Sequence, residues 1–148
     1  MNDMNDMNDM NERKLMPFTT MQALSRAVLI AMGANAFIYF IAKTLSGNLI
    51  STVATPHQPI TLIQVVGATV VQGFIGGTFL AWVASKTAKP RQYWTIVAAL
   101  LLVASFFMPL SSTERIIEAL WLCLMHCTTG YFVITAGIKN LPAIRAPK

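Results

Sequence analysis

The stretch ITLIQVVGATVVQGFIGGTFLAWVAS, residues 60–85, decides the fold class of this chain. It carries no charged side chain, and it is longer than the roughly 20 residues that an α-helix needs to cross the hydrocarbon core of a bilayer. A transmembrane β-strand would be about half as long and would alternate apolar and polar residues. This stretch does not alternate in that way, so it predicts a transmembrane helix whose backbone polar groups satisfy one another.

Three more stretches of the same kind lie on either side of it, at residues 23–45, 93–110 and 116–138. The connections between them are short, so these 148 residues leave no room for a second, water-soluble domain. Charged residues make up 11% of the chain, against roughly 25% in an average soluble domain, which is too few to coat a globule in water. The sequence therefore predicts an all-α integral membrane protein with four transmembrane helices in an antiparallel bundle and the lipid bilayer as its solvent.

Basic residues are distributed unevenly between the two ends of the predicted spans. Nine of the eleven Lys and Arg residues lie in the N-terminal region, in the connection before the third span or after the fourth span; only Lys43 and Arg115 lie near the other two connections. Cytoplasmic loops carry the Lys and Arg excess, so we expect a cell-membrane protein with both termini in the cytoplasm. The net charge of +5 is explained by this pattern, and no nucleic-acid partner is expected.

The N-terminal segment repeats one triplet, MNDMNDMNDMNE, and offers several candidate start residues: Met1, Met4, Met7, Met10 and Met16. Asn and Asp are poor residues for a helix interior, and the segment has no apolar face to bury. We therefore predict a disordered cytoplasmic segment over residues 1–20, a transmembrane domain over residues 21–141 and a cytoplasmic tail over residues 142–148. An acidic metal-binding tail is the less favoured alternative, because the segment lacks the glycine turn and ligand spacing of a calcium loop.

The second span carries a packing signal and two amides. Gly73 and Gly77 form a small-xxx-small pair, which lets helix backbones approach closely in lipid. Packing within the bundle is the favoured interpretation, and a homodimer face is the alternative. Gln64 and Gln72 lie roughly on one stripe of the same helix, and Asn35 of the first span is their predicted partner. We interpret these amides as structural interhelical bonds, with a polar transport path as the alternative.

The fourth span holds Cys123, His126 and Cys127, which share one face of a helix. His126 falls near the middle of the span, where an ionisable side chain is costly and marks a functional hypothesis by default. The favoured interpretation is a neutral imidazole that bonds one of the three amides above or a backbone carbonyl, with both cysteines as small packing residues and no cofactor. Metal or haem ligation at His126 is a less favoured alternative, and thiol redox chemistry is the weakest.

Charged residues mark the start of the fourth span. Glu114 and Glu118 suit the positive N-terminal end of a helix, and Arg115 can pair with Glu118 at a spacing of three. We predict a cap at the membrane interface, with Glu118 as a proton or cation gate as the alternative. His57, in the connection before the second span, is expected to be a solvated loop residue. No catalytic triad order, zinc-protease motif or phosphate-binding loop occurs in the sequence.

The chain resembles a family of small bacterial four-helix membrane proteins of unknown function, the DUF6069-type proteins. The resemblance rests on the order of the four spans, on Lys89-Pro90-Arg91 followed by Trp94 before the third span, and on Leu124-Met125-His126 in the fourth. It extends over residues 23–141. It implies the fold, a bacterial inner-membrane location and His126 as the residue to test first, and it implies no activity.

These observations favour a non-enzymatic membrane protein that acts by packing or association, as a structural or accessory subunit of a larger complex or as a homo-oligomer. A small oligomeric transporter or channel that pools the few intramembrane polar residues is the alternative. An enzyme ranks third, because no acid–base pair with a substrate pocket is visible in the sequence.

Overall fold

Helices make up most of the computed structural model, which describes residues 3–53 and 57–144, with side chains from residue 20 onward. The elements in chain order are α1 (Asp3–Ser46), β1 (Ile50–Ser51), β2 (Gln58–Pro59), α2 (Leu62–Ser85), α3 (Pro90–Ser105), α4 (Phe107–Ser111) and α5 (Ile116–Asn140). Four helical segments are long and apolar enough to cross a membrane: Thr20–Ser46, Leu62–Ser85, Pro90–Ser111 and Ile116–Asn140. They coincide with the four predicted stretches, which confirms that these stretches are helical.

The first helix begins earlier than the sequence predicts. Its backbone is helical from Asp3, where the sequence indicates a disordered segment over residues 1–20. Residues 10–16 read MNERKLM, and Met, Glu, Arg, Lys and Leu all favour helix. The side chains of residues 1–19 lie outside the described part of the chain. Residues 145–148, most of the predicted tail, also lie outside it.

The third span is broken near its end, although the sequence predicts one continuous helix over residues 93–110. Helix α3 ends at Ser105, and the short α4 begins at Phe107. Pro109 explains the break, since proline has no N–H and its ring clashes with the carbonyl four residues earlier, here that of Ser105. The amide of Phe106 bonds the carbonyl of Val103, three residues back, at 3.2 Å. Helix α3 therefore ends four residues before Pro109, and Pro109 itself lies in α4.

Helix α1 packs along α2 and α5, and α3 packs along the same two helices. We call the end that carries the connection between α2 and α3 the turn end. The hairpin end carries β1 and β2, which pair antiparallel with Ile50 opposite Pro59. Gly47, at a φ of 79°, ends α1 just before this hairpin, as the Ser-Gly-Asn sequence there predicts.

Two hydrophobic cores fill the two ends. The turn-end core draws on all four long helices and on the residue after α5: Leu24, Val28, Leu80, Ala84, Trp94, Ala98, Val133 and Leu141. The hairpin-end core draws on α1, α2, α5 and the connection after α1: Tyr39, Ala42, Leu49, Val65 and Met125. Neither α3 nor α4 contributes a buried residue to the hairpin-end core.

Trp94 is the centre of the turn-end core. It is fully buried, and its indole N–H donates to the carbonyl of Val133 at 3.2 Å. The indole lies against Gly137, where an added Cβ would collide with the ring. Arg91 closes the same end with two bonds to the carbonyl of Leu141, from Nε at 3.0 Å and from Nη2 at 2.9 Å.

Candidate functional site: a polar cavity at the hairpin end

A buried amide joins three helices near their middle. Nδ2 of Asn35 in α1 donates to Oγ1 of Thr69 in α2 and to Oγ1 of Thr129 in α5, both at 2.9 Å. Each hydroxyl in turn donates to the carbonyl four residues earlier, Thr69 to Val65 at 2.8 Å and Thr129 to Met125 at 3.0 Å. A hydroxyl has a single proton, so both hydroxyls can only accept from Asn35. The amide must therefore point its NH₂ group at both threonines.

This arrangement leaves the amide oxygen of Asn35 without a partner. The residue is 1% exposed, and Oδ1 is buried and makes no hydrogen bond to any described residue. Buried polar atoms are nearly always paired, so each exception needs an explanation. Among the described residues, this oxygen is one of two such exceptions; the other is Oε2 of Glu118.

Asn35 lies on the wall of a cavity of about 250 Å³. The cavity extends between α2, α4 and α5 and is bordered at the hairpin end by Ser51 and Val53, by Ile60 and by Ser112 after α4. Its polar lining residues are Asn35, Ser51, Gln64, Thr69, Gln72, Ser112, His126 and Thr129. Within the described part of the chain the other lining residues are apolar, and none that borders the cavity is Asp, Glu, Lys or Arg.

The structure brings the predicted amides and His126 to one cavity, but not to one hydrogen-bond network. Oε1 of Gln64 accepts from the backbone N–H of Thr61 at 2.7 Å, as half of a capping box at the start of α2. Gln72 and His126 line the cavity, and within the described residues neither makes a hydrogen bond. The predicted bonds from Asn35 to the glutamines, and from His126 to an amide, are therefore wrong. Thr69 and Thr129 are the partners of Asn35 instead of the glutamines. The position of each helix along its axis and its rotation about that axis decide which polar groups meet.

The sequence does not identify Thr69 and Thr129 as the hydrogen-bond partners of Asn35. Ser and Thr are frequent bonding partners between helices in membranes, so a threonine inside an apolar span is a signal in principle. Several spans contain threonines, however, and some of their hydroxyls bond only the carbonyl four residues back, as Thr128 does with Leu124 at 2.9 Å. Sequence alone does not distinguish a threonine that bonds a neighbouring helix from one that bonds only a carbonyl of its own helix.

The two cysteines lie away from the cavity. Cys123 is half-buried and Cys127 is exposed; both are free thiols, and neither lines the cavity with His126. In residues 20–53 and 57–144, no group of three His, Cys, Asp or Glu side chains converges as metal ligands. The shared helix face therefore does not bring these three side chains to one site.

The glycine pair of α2 faces α1 within the same chain. A Cβ added at Gly73 would lie 2.6 Å from Cγ2 of Val28, and one added at Gly77 would collide with the end of Leu24. By contrast, a Cβ on Gly67 of the same helix would meet nothing within 4 Å. The glycines thus serve the packing within the bundle.

The predicted pair of Arg115 and Glu118 is present, and it does more than cap a helix. Oε1 of Glu118 accepts from Nε at 2.7 Å and from Nη2 at 2.5 Å, and Nη2 also reaches the carbonyls of Ser46 and Asn48 at 3.2 Å. Glu118 is fully buried, and its Oε2 has no partner among the described residues. The guanidinium therefore ties the end of α1 to the start of α5.

Glu114 lies outside this contact and pairs with His57. Nδ1 of His57 and Oε1 of Glu114 are 2.5 Å apart, and both side chains are about half exposed. His57 is an exposed loop residue, as the sequence predicts, and the nearby carboxylate adds a contact that the sequence does not indicate. It arises because the connection before α2 folds over the start of α5, where the amide of Thr52 also bonds the carbonyl of Ser112 at 2.9 Å.

Comparison with known proteins agrees with the resemblance seen in the sequence. No curated protein and no solved structure matches this chain. A family model does match, over residues 18–142, which includes all four long apolar segments and the whole cavity. The chain therefore belongs to DUF6069, a family of unknown function.

Proposed function

We propose that this protein is inserted in the cell membrane as an antiparallel bundle of four transmembrane helices, with both termini in the cytoplasm. Large apolar side chains are exposed on every long helix, among them Phe37 at 68%, Ile63 at 83% and Leu100 at 65%. Such a surface is unstable in water and suits lipid. The charge asymmetry supports the orientation, because Lys86 and Lys89 are exposed at the turn end.

We infer a non-enzymatic role as a structural or accessory subunit that acts by association within the membrane. This inference rests on the observation that polar side chains inside the protein bond one helix to another or cap a helix. Asn35 joins three helices, Gln64 caps α2 and Arg115 joins α1 to α5. Each of these contacts stabilises the bundle. The outward surface is left apolar and available to lipid or to neighbouring proteins.

A small transporter is the second candidate, and the cavity is the observation that favours it. Polar groups line the space from the hairpin end to Asn35. Beyond that point the turn-end core closes the bundle, with Leu24, Val28 and Trp94 fully buried. A single chain in this conformation has a chamber that is closed at one end, so transport would need a rearrangement or an oligomer.

Reporter fusions test the proposed topology. Fusions after Lys89 and at the C-terminus should report a cytoplasmic location, and a fusion near Val53 should report an external one. A cytoplasmic signal at Val53 would contradict the proposed orientation.

Purification in mild detergent tests the proposed role. The protein should run as an oligomer or with a reproducible partner, and proteoliposomes that contain it should show no ion flux above empty liposomes. Metal content and the visible spectrum should be recorded on the same sample, because they address His126 directly. If the unaltered protein supports an ion flux and Glu118→Gln abolishes it, the transporter role is favoured over the accessory role.

A further inference from the structure

We propose that a second copy of this chain packs against the exposed face of α2, and that the Gln72 amides of the two copies bond each other near the middle of the membrane. The proposal rests on the insertion and association inferred above, and it names the partner and the surface. The observation that points to it is an exposed amide, without a hydrogen bond within the described residues, halfway along a mostly apolar helix face.

The depth of Gln72 makes the side chain costly on its own. It is the eleventh of the 24 residues of α2, which begins at the hairpin end. At about 1.5 Å per residue it lies roughly 15 Å along the helix, at the middle of a hydrocarbon core about 30 Å thick. A glutamine side chain is too short to reach the headgroups from there. The amide therefore needs a polar partner inside the membrane.

The chain itself does not supply that partner. Gln72 is exposed, and it makes no hydrogen bond to any residue in the ranges 20–53 and 57–144. His126 lines the same cavity and is the eleventh residue of α5, but it is half-buried and makes no bond to Gln72. Lipid acyl chains offer neither a donor nor an acceptor, so lipid alone leaves the amide unpaired.

A second copy supplies the partner by symmetry. Two copies that are inserted in the same orientation and related by a two-fold axis along the membrane normal place equal residues at equal depth. A carboxamide is both a donor and an acceptor, so each Gln72 can donate from its NH₂ group to the amide oxygen of the other. An unrelated partner would need a polar group at the same depth, whereas a second copy carries one there already.

The neighbours of Gln72 allow a second helix to come close. Ala68 lies one turn earlier on the same side of α2 and is exposed. Gly76 lies one turn later, and a Cβ added there would meet nothing within 4 Å, so the packing within the chain does not use its missing side chain. Val71 and Ile75, at 55% and 67% exposure, supply apolar contact beside the amide. Small residues around a polar one are typical of contacts between helices in membranes.

Energy transfer between labelled copies tests the proposal. The full chain carries a donor or an acceptor dye at its C-terminus and is reconstituted in phosphatidylcholine vesicles over a range of protein-to-lipid ratios. The transfer should follow a monomer–dimer equilibrium. Gln72→Leu removes the amide at similar size and should weaken the dimer about five- to thirtyfold, the effect of one amide bond between helices in membrane peptides.

Two further variants separate the amide from its surroundings. Gln72→Asn keeps a carboxamide, so its dimer should be tighter than that of Gln72→Leu. His126→Leu removes a polar side chain at a similar depth on another helix and should leave the dimer unchanged.

Disulfide crosslinking locates the interface without altering Gln72. In a chain with Cys123→Ala and Cys127→Ala, a single cysteine is introduced as Ala68→Cys or as Gly67→Cys. The two positions are adjacent and exposed, but they point about 100° apart around α2. With copper phenanthroline as the oxidant, Ala68→Cys should form a crosslinked dimer several times faster than Gly67→Cys.

The possible failures are distinguishable from one another. An unchanged dimer in Gln72→Leu, or equal crosslinking at the two positions, would overturn this interface and leave the proposed association standing. A chain that stays monomeric in vesicles would overturn the second copy as the partner. A different protein that co-purifies reproducibly would then preserve the accessory role, and its absence would remove both.

Discussion

The turn end and the hairpin end of this protein share the helices α1, α2 and α5, but they are packed in opposite ways. At the turn end all four long helices contribute buried residues, and Trp94 is fully enclosed against α5. At the hairpin end the core draws on α1, α2, α5 and a two-stranded hairpin, while α4 borders a cavity of about 250 Å³. The same chain thus contains a close-packed half and a half with free volume.

The glycines of α2 show what separates the two halves. A glycine allows close packing only where a large neighbouring side chain occupies the space that its missing Cβ leaves. Leu24 does this at Gly77 and Val28 at Gly73, whereas nothing lies within 4 Å of a Cβ placed on Gly67. In lipid, where no hydrophobic force drives helices together, this steric fit carries much of the association energy.

The largest effect should come from the close-packed half, at Gly137. Gly137→Leu forces the rigid indole of Trp94 out of place and breaks its bond to Val133, so we expect a loss of about 3–4 kcal/mol of unfolding free energy. Denaturant unfolding in detergent measures this loss. The matched control is Gly76→Leu, since a Cβ at Gly76 meets nothing within 4 Å and the change should cost less than about 1 kcal/mol. Similar losses in both variants would remove the distinction between the two halves.

The next effect tests the buried ion pair of the hairpin end, between Arg115 and Glu118. Arg115→Met leaves Glu118 buried without its partner and frees the end of α1, and it should cost about 3 kcal/mol. Glu114→Gln, in the half-exposed pair with His57, should cost less than about 1 kcal/mol. Thermal unfolding of both variants at neutral pH gives the comparison. An equal, small cost would show that the Arg115 contact does not hold the hairpin end closed.

The glycine pair should give an intermediate effect. Gly73→Leu and Gly77→Leu push α2 away from α1, and each should lower stability by about 2 kcal/mol. Gly67→Leu on the same helix is the control and should be nearly neutral. Oligomer mass, measured on the same samples by light scattering, should not change. A change of mass at unaltered stability would instead identify the glycines as a face between copies of the chain.

The smallest effect should come from His126. The side chain of His126 has no hydrogen-bond partner in the described chain, so its replacement leaves no polar group unpaired. His126→Leu and His126→Gln should therefore each lower the free energy of unfolding by less than about 1 kcal/mol. The measurement is again thermal unfolding, with metal analysis and a visible spectrum of the purified protein. Stoichiometric metal or a haem band that is lost in both variants would make His126 a ligand and reverse this expectation.

Local features of this chain could be predicted from the sequence with good accuracy. The pair between Arg115 and Glu118 involves residues three apart, and it is present. Spacing along a helix fixes such contacts before any helix meets another. Contacts between helices could not be predicted in the same way. Asn35 bonds two threonines where glutamines are expected, and Trp94 lies in the core where its position near a helix end suggests an interface anchor.

By itself the sequence determined the four long apolar helices, because each stretch is long and apolar enough to span a bilayer as a helix and lacks the alternation of a strand. It also determined the family to which the chain belongs. Only the tertiary structure decided which polar groups meet, why Gly137 must lack a side chain and where the helices part to leave a cavity. The physical reason is that depth and rotation of one helix against another depend on steric fit between side chains that are distant in sequence, and no local pattern encodes that fit.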